Sequence, residues 1–416
     1  NMKTIKIQGH LIGLFISLSI CSFGQTKTIN QGLMTITGTA GSVSAIENLN
    51  SGVLTNDGDL HVYNHYTNNG IVTFTNGLTT GLTRMRGLFG FQNIAGTNQM
   101  RWYNCEFDNS LTQPAFHLSN QISISGNANF LNGIVDDDNF GGLAIFENLA
   151  THINVDNNSH VDGFVRKIGN QDFIFPIGDS NFFRYAAISE PNTNTDIFSG
   201  KYFFENSNVF FPHANKQENI SIIDDAEYWQ IDKTSSSSDV FITLTWNPVT
   251  TPSAIYASPI DDIHIVRWDV SENKWIDEGG IADALTNEVT TVINPQTEYG
   301  IFTLARVKNI LPCNGNAVIV HNYISPNNDT INDVLKITGI ENCPNNNIYI
   351  YNRWGVKVYE THSYDTNGNT FNGYSQGRTT VNSNDKLPFG TYFYIIEILN
   401  ESTGDTNKLS GYIFIN

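Results

Sequence analysis

The chain has 416 residues, 40% hydrophobic and only 15% charged, with 40 acidic against 22 basic side chains and a formal charge of −18. That length exceeds one ordinary core and calls for about two to four domains, while the apolar content excludes a disordered chain. So acidic a surface repels phosphate backbones, and no basic stripe reverses it locally, which excludes nucleic acid as a partner.

Residues 1–24 read as a secretory signal. Lys3 and Lys6 precede an apolar run over 11–20, and Ser22 and Gly24 supply the small residues that a cut before Gln25 requires. The run is shorter than the ~20 residues of a membrane-spanning helix, and no later segment is apolar enough to span as one. Cys21 raises the alternative of a lipoprotein, but Ile20 is bulky where a lipobox takes a small residue. The expected mature chain therefore starts at Gln25. It keeps Cys105, Cys313 and Cys343, an odd number in a compartment that permits disulfides. With no Cys-x-x-Cys pair, zinc-ribbon and thioredoxin-like chemistry is excluded.

Residues 25–161 are expected to form a β-repeat domain. Short apolar stretches such as Leu60-His61-Val62-Tyr63 and Ile71-Val72-Thr73-Phe74 alternate with Ser51-Gly52, Asp57-Gly58, Asn69-Gly70, Asn76-Gly77 and Asn132-Gly133. Such dipeptides favour positive φ and tight turns, and nothing here has helical periodicity. Stacked short strands suggest a β-solenoid; the irregular repeat leaves a β-sandwich as the alternative.

Over 162–310 the strands lengthen, and a middle β-sandwich is expected. Val240, Ile242, Leu244 and Trp246 alternate onto one face, and 263–268 and 299–304 are further strands. Phe173-Ile174-Phe175-Pro176-Ile177-Gly178-Asp179 loosely resembles a segment of multidomain Bacteroidetes surface proteins, a likeness that implies no activity. Trp229, Trp246, Trp268 and Trp275 all fall in this region. Exposed indoles would stack on sugar rings, with Trp275 the best placed to be exposed, while a core role is the usual one on alternating strands.

After a linker over 308–316, residues 311–416 alternate strands with tight turns, which points to an Ig-like β-sandwich. The ordered pieces are Ser325-Pro326-Asn327 with Asn332-Asp333, then Tyr351-Asn352-Arg353-Trp354-Gly355, Leu387-Pro388-Phe389-Gly390-Thr391-Tyr392 and Gly411-Tyr412-Ile413-Phe414-Ile415-Asn416. Together they resemble the gliding-motility-associated C-terminal domain, a type IX secretion signal. The resemblance implies export across the outer membrane, with the type IX translocon as partner and an associated β-barrel that retains cargo at the cell surface. It also marks Asn352, Arg353, Trp354, Gly355, Gly390, Thr391, Tyr392, Gly411, Tyr412 and Asn416 as recognition residues. The final strand would either add to a partner's sheet edge or complete its own. The chain departs from the family loop, Pro-Asn-Gly-Asp-Gly, with Asn328 and Thr330 where glycines are usual. β-Branched Thr tolerates positive φ poorly, so a differently shaped loop is expected.

Little catalytic chemistry is legible. Gly373-Tyr374-Ser375-Gln376-Gly377 has the spacing of a hydrolase elbow, but no helical pattern follows it. Asp136-Asp137-Asp138 reads as a solvated loop, and Asp224-Asp225 and Asp261-Asp262 have no identifiable partner. Asn327, Asp329, Asn332 and Asp333 are a weak calcium set, for which an Asx-turn network is the blander account. Cys313 and Cys343, at the edges of the last domain, are expected to pair and leave Cys105 free. The chain as a whole reads as an all-β, non-enzymatic surface or secreted protein without a cofactor. It is expected to be an adhesin or part of an adhesion or gliding assembly, engaging other surface proteins, or else a glycan-binding protein using those tryptophans.

Overall fold

The computed structural model describes residues 27–291, 298–308, 318–352, 355–366, 368–376, 386–399 and 406–416. The expected signal segment lies outside them. The described residues are all-β, with 3-10 turns at Ser207–Val209, Ile260–Asp262 and Ile340–Asn342, and none of their helices is long and apolar enough to cross a membrane. Two compact units emerge: Asn1–Phe204 with Trp229–Val240, and Glu205–Tyr228 with Phe241–Asn416.

In the first unit, parallel ladders wind around one core, so the N-terminal region is solenoid-like rather than a sandwich. The first coil lays down Lys27–Asn30, Leu33–Ile36 and Thr39–Ser42, and the second Ala45–Asn48, Val53–Asn56 and Asp59–Val62. Each strand pairs in parallel with its counterpart one coil on. Alternation of side chains sends Ile46, Leu54, Leu60 and Val62 inward, where they are buried. These rows continue through Tyr66, Ile94 and Leu118 on one sheet, and through Met85, Phe107 and Phe130 on another. Successive coils differ in length, because Ile46 pairs with Tyr66 and Tyr66 with Ile94. Loops absorb the difference, which is why a regular stack has an irregular sequence repeat.

Corners are held by an asparagine ladder. Asn30 Nδ2 donates to Asn48 Oδ1, and Asn48 Nδ2 to Asn68 Oδ1, each at 2.8 Å, and Asn68 Nδ2 reaches Asn98 O at 2.9 Å. The expected positive φ holds at Gly77 (88°) and Gly133 (103°). Elsewhere the glycine serves close approach instead: a Cβ at Gly70 would stand 2.2 Å from Gly52 O, and one at Gly58 2.1 Å from Gly38 O. Parallel stacking runs on past Val161, where Val161–Asp162 pairs with Ile177–Asp179. Antiparallel pairing takes over where Val165–Ile168 meets Ile197–Phe203.

The second unit is built mainly of antiparallel pairs. Ile263–Asp269 lies between Lys274–Asp277 and Gly300–Val307, while Ile242–Thr245 pairs with Glu288–Thr290, itself paired with Ile281–Asp283. Toward the C-terminus a five-stranded sheet runs in the order Tyr323–Ile324, Thr406–Ile415, Gly390–Leu399, Asn346–Tyr351, Lys357–His362. A two-stranded sheet, Ile319–Val320 with Ile337–Thr338, shares its core, in which Ile337, Ile348, Ile350, Tyr394, Ile396, Ile413 and Ile415 are buried together.

Candidate functional site

The C-terminal motifs are the places where this last sheet turns or closes. In the loop after Ile324, Asp333 gathers the chain: its carboxylate accepts from the N–H groups of Asn327 (3.0 Å), Asn328 (2.7 Å) and Thr330 (2.7 Å). Desolvation opposes these bonds, but together they outweigh it and hold the Asp333 carboxyl below its ordinary range. Asp329 Oδ1 accepts from Ile331 N, and Asn327 Oδ1 from Asp329 N. Asn327, Asp329 and Asp333, three of the four residues offered for calcium, thus lie in an Asx network, and Asn332 joins it through its carbonyl, which accepts from Ser325 N. Asn328 (φ 63°), Thr330 (φ 74°) and Asn332 (φ 56°) are all left-handed. The two residues that replace family glycines therefore adopt the φ a glycine would supply, and Thr330 bears the strain.

Asn352 organises the next turn. Val356 N donates to its Oδ1 at 2.9 Å, Gly355 N to its carbonyl at 3.0 Å, and its own N–H to Val356 O. Gly355 has φ 75°, and a Cβ there would stand 2.2 Å from the Phe241 ring. Arg353 and Trp354 lie outside the described residues. Farther on, Leu387 is buried and the Tyr392 hydroxyl donates to Pro388 O at 2.9 Å, fixing the turn into Gly390–Leu399. The last strand completes its sheet rather than standing free, antiparallel to Gly390–Leu399 and parallel to Tyr323–Ile324 at its end.

Residues 318–415 match the CHU_C type IX secretion signal domain. No curated protein and no solved structure matches the chain. The type IX signal marks the chain for export across the outer membrane, to the cell surface or the extracellular space, and implies interaction with the type IX secretion machinery.

Within the signal domain, Gly355, Gly390 and Tyr392 hold turns, Gly411 makes room for a neighbour, and Thr391, Tyr412 and Asn416 are exposed. Sequence reasoning missed Tyr323, Phe389 and Phe414 as surface residues, although alternation along 411–416 already placed Tyr412 and Phe414 on the face opposite Ile413 and Ile415. Cys343 is buried and disulfide-bonded, while Cys105 is free and buried. Cys313 lies outside the described residues. Ser375 is buried beside the single bridge Tyr374↔Lys386, and Gly377, the last position of that motif, is not described.

Two readings of the upstream region are corrected. None of Trp229, Trp246, Trp268 and Trp275 is exposed, so they offer no sugar platform. Trp275 sits opposite Trp268 in the hairpin, edge to face at 5.7 Å, and its Nε1 donates to Phe211 O at 3.1 Å. Trp229 likewise donates to Arg184 O at 3.1 Å. Both indoles bury their rings and satisfy their one donor internally.

The Asp136–Asp138 run is not a solvated loop either: Asp136 and Asp137 are buried. Asp136 accepts from Asn139 and stacks in register between His117 and Asp162. Asp137 accepts from Phe164 N at 2.9 Å, and burial pushes its carboxyl well up. Asp138 pairs with Lys201. Burial also pushes Asp162 up to about 7, against the bond from Ser180 N and with the charges of Asp179, Asp136 and Asp138 adding to it. In the second unit, burial and the nearby Glu227 push Asp224 up to about 8, and Asp262 pairs with Arg306 at 2.8 Å. Each of these acids is tied into the fold where it stands.

Proposed function

We propose that the exported chain is a non-catalytic surface protein, an adhesin or a structural part of a surface adhesion or gliding assembly, held at the outer membrane by a β-barrel partner. The observation that carries this reading is the outer face of one solenoid sheet, which is cross-linked from coil to coil. Arg84 binds Asp59 and Glu106 at 2.8 Å each, Arg86 joins Glu106 at 3.0 Å, and Asn129 and Asn154 extend the row. A mutually bonded polar array of this kind suits display and contact, since its side chains are held by one another before any partner arrives. The engagement of the buried acids in the fold supports the non-catalytic part. Deleting the protein from its bacterium is expected to reduce attachment or surface spreading, and the intact chain supplied in trans to restore it. Unchanged attachment and spreading, or turnover of a polysaccharide or ester by the purified chain, contradicts the proposal.

A further inference from the structure

The five-stranded sheet of the signal domain has two faces. One lies on the core. On the other, Tyr349, Tyr351, Phe393 and Ile395 pack with Ile281, so that half is covered. The same face continues beyond this cover. Thr391 lies opposite Phe414, which lies opposite Tyr323, and Tyr412 follows in the next row opposite Phe393. Phe389 stands edge-on to Phe414 at 5.1 Å, and Tyr323 stacks on Phe414 at 6.2 Å. Phe389 is 72% exposed, Tyr412 47% and Tyr323 42%. In a chain with 22 basic and 40 acidic side chains, none of Tyr323, Phe389, Thr391, Tyr412 and Phe414 carries a charge.

We infer that Tyr323, Phe389, Tyr412 and Phe414 form the docking surface that the type IX secretion machinery seats against an apolar protein surface of its own. The inference rests on the export reading of the domain. The patch continues the face that Ile281 already covers, so the domain buries half of one aromatic surface within the chain and leaves half to a partner. Contiguous exposed aromatics mark interaction sites, and Tyr and Phe side chains give large contact areas at small entropic cost. Strand addition is poorly served by comparison. Along the outer edge of Lys357–His362, Val358 O accepts from Gln376 N and Glu360 N donates to Gln376 Oε1. At the opposite edge Tyr323–Ile324 closes the end of the last strand. At both of these places the edge is engaged within the chain, whereas Tyr323, Phe389 and Tyr412 stand exposed.

The test compares three forms of the full-length protein in a type IX-competent bacterium: wild type, the triple variant Tyr323→Ser/Phe389→Ser/Tyr412→Ser, and a chain lacking 318–416. Surface and periplasmic amounts are read by protease accessibility and immunoblot, and folding by thermal melting of the purified chains. The triple variant is expected to melt within a few degrees of wild type and to lose at least tenfold of its surface fraction to the periplasm. Phe389→Asp, at the most exposed position, repeats the test should the triple variant melt early. If the truncated chain is trapped while the folded variants reach the surface normally, the docking surface is refuted and the export reading stands. If the truncated chain itself reaches the surface, the export reading fails. Two further outcomes overturn the inference: a dimer of the purified wild type that the variants dissolve without loss of export, and binding to vesicles of outer-membrane lipid that they abolish without loss of export.

Discussion

Gly411 lies directly opposite Tyr394 across the last two strands, and a Cβ at 411 would stand 2.5 Å from the phenol oxygen. The terminal Gly-Tyr-Ile motif thus begins with a glycine because the buried Tyr394 ring fills the space above it. Gly411→Ala should destabilise the signal domain by about 2 kcal/mol, the cost of forcing a methyl group into a packed core. Adding Tyr394→Leu should recover part of that loss. Denaturant unfolding of the single and double variants measures the coupling, and strictly additive effects would refute the contact.

Thr330 holds φ 74° so that its N–H can reach Asp333. A β-branched residue in the left-handed region is strained by ~1–2 kcal/mol, and glycine removes that strain at the expense of a looser unfolded chain. Thr330→Gly should stabilise the domain by about 0.5–1 kcal/mol. Asp333→Ala should weaken it, because three N–H groups lose their acceptor together. Melting curves of the two variants should move in opposite directions.

Trp275 is a core residue, and its removal should show it. Trp275→Ala leaves a cavity beside Trp268 and Phe211 and should cost about 3–5 kcal/mol. A surface sugar-stacking residue would behave differently, losing glycan retention on an affinity column with little change in melting temperature. That second pattern would restore the glycan reading.

The stacked acids of the solenoid give stability a pH slope. Asp162 is raised from 3.8 to about 7 in the folded chain, so the folded state holds a proton that the unfolded state releases. Its contribution is complete below about pH 4 and is lost as pH rises through about 7. Asp162 is partly exposed, so the loss is discounted for solvent screening to ~1–2 kcal/mol. Asp162→Asn retains an acceptor for Ser180 N and should flatten the slope, leaving the variant more stable than wild type at pH 8 and equal to it at pH 4. A wild-type melting temperature that climbs between pH 5 and 8, and does so equally in the variant, would count against this assignment.

What the sequence made legible follows the range of the forces involved. Two-residue alternation is local, so Val240, Ile242, Leu244 and Trp246 were readable as one face, and all four are buried. The C-terminal turns were readable because each depends on a residue type with few substitutes, such as Asn352 and Gly355. The solenoid was harder to read, since its register joins Tyr66 to Ile94 across a loop with no pattern of its own. Least legible was the environment of single side chains. Asp136 and Asp137 sit among turn-forming neighbours yet are buried by coils that the chain adds later, around Val161–Asp162. Trp275 follows a polar turn yet is covered by Phe211, far away in sequence.

Truncation at the C-terminus should unfold the signal domain rather than merely hide it from the export machinery. Removing 410–416 deletes Ile413 and Ile415, both fully buried among Ile324, Ile348 and Tyr392. Each such loss costs about 2–5 kcal/mol, and together they approach the ~5–15 kcal/mol that holds a whole domain folded. Gly390–Leu399 also loses its antiparallel partner along the deleted stretch, from Gly390↔Ile415 to Ile395↔Ser410. Limited proteolysis of the truncated chain should therefore digest the region after 318 rapidly while coils of the first unit, with their own core, survive as a protected fragment. Arrest of this truncated chain in the periplasm is then a folding defect, and only point variants at exposed positions separate recognition from stability. A truncated chain as protease-resistant throughout as wild type would show that the final strand is dispensable for the fold.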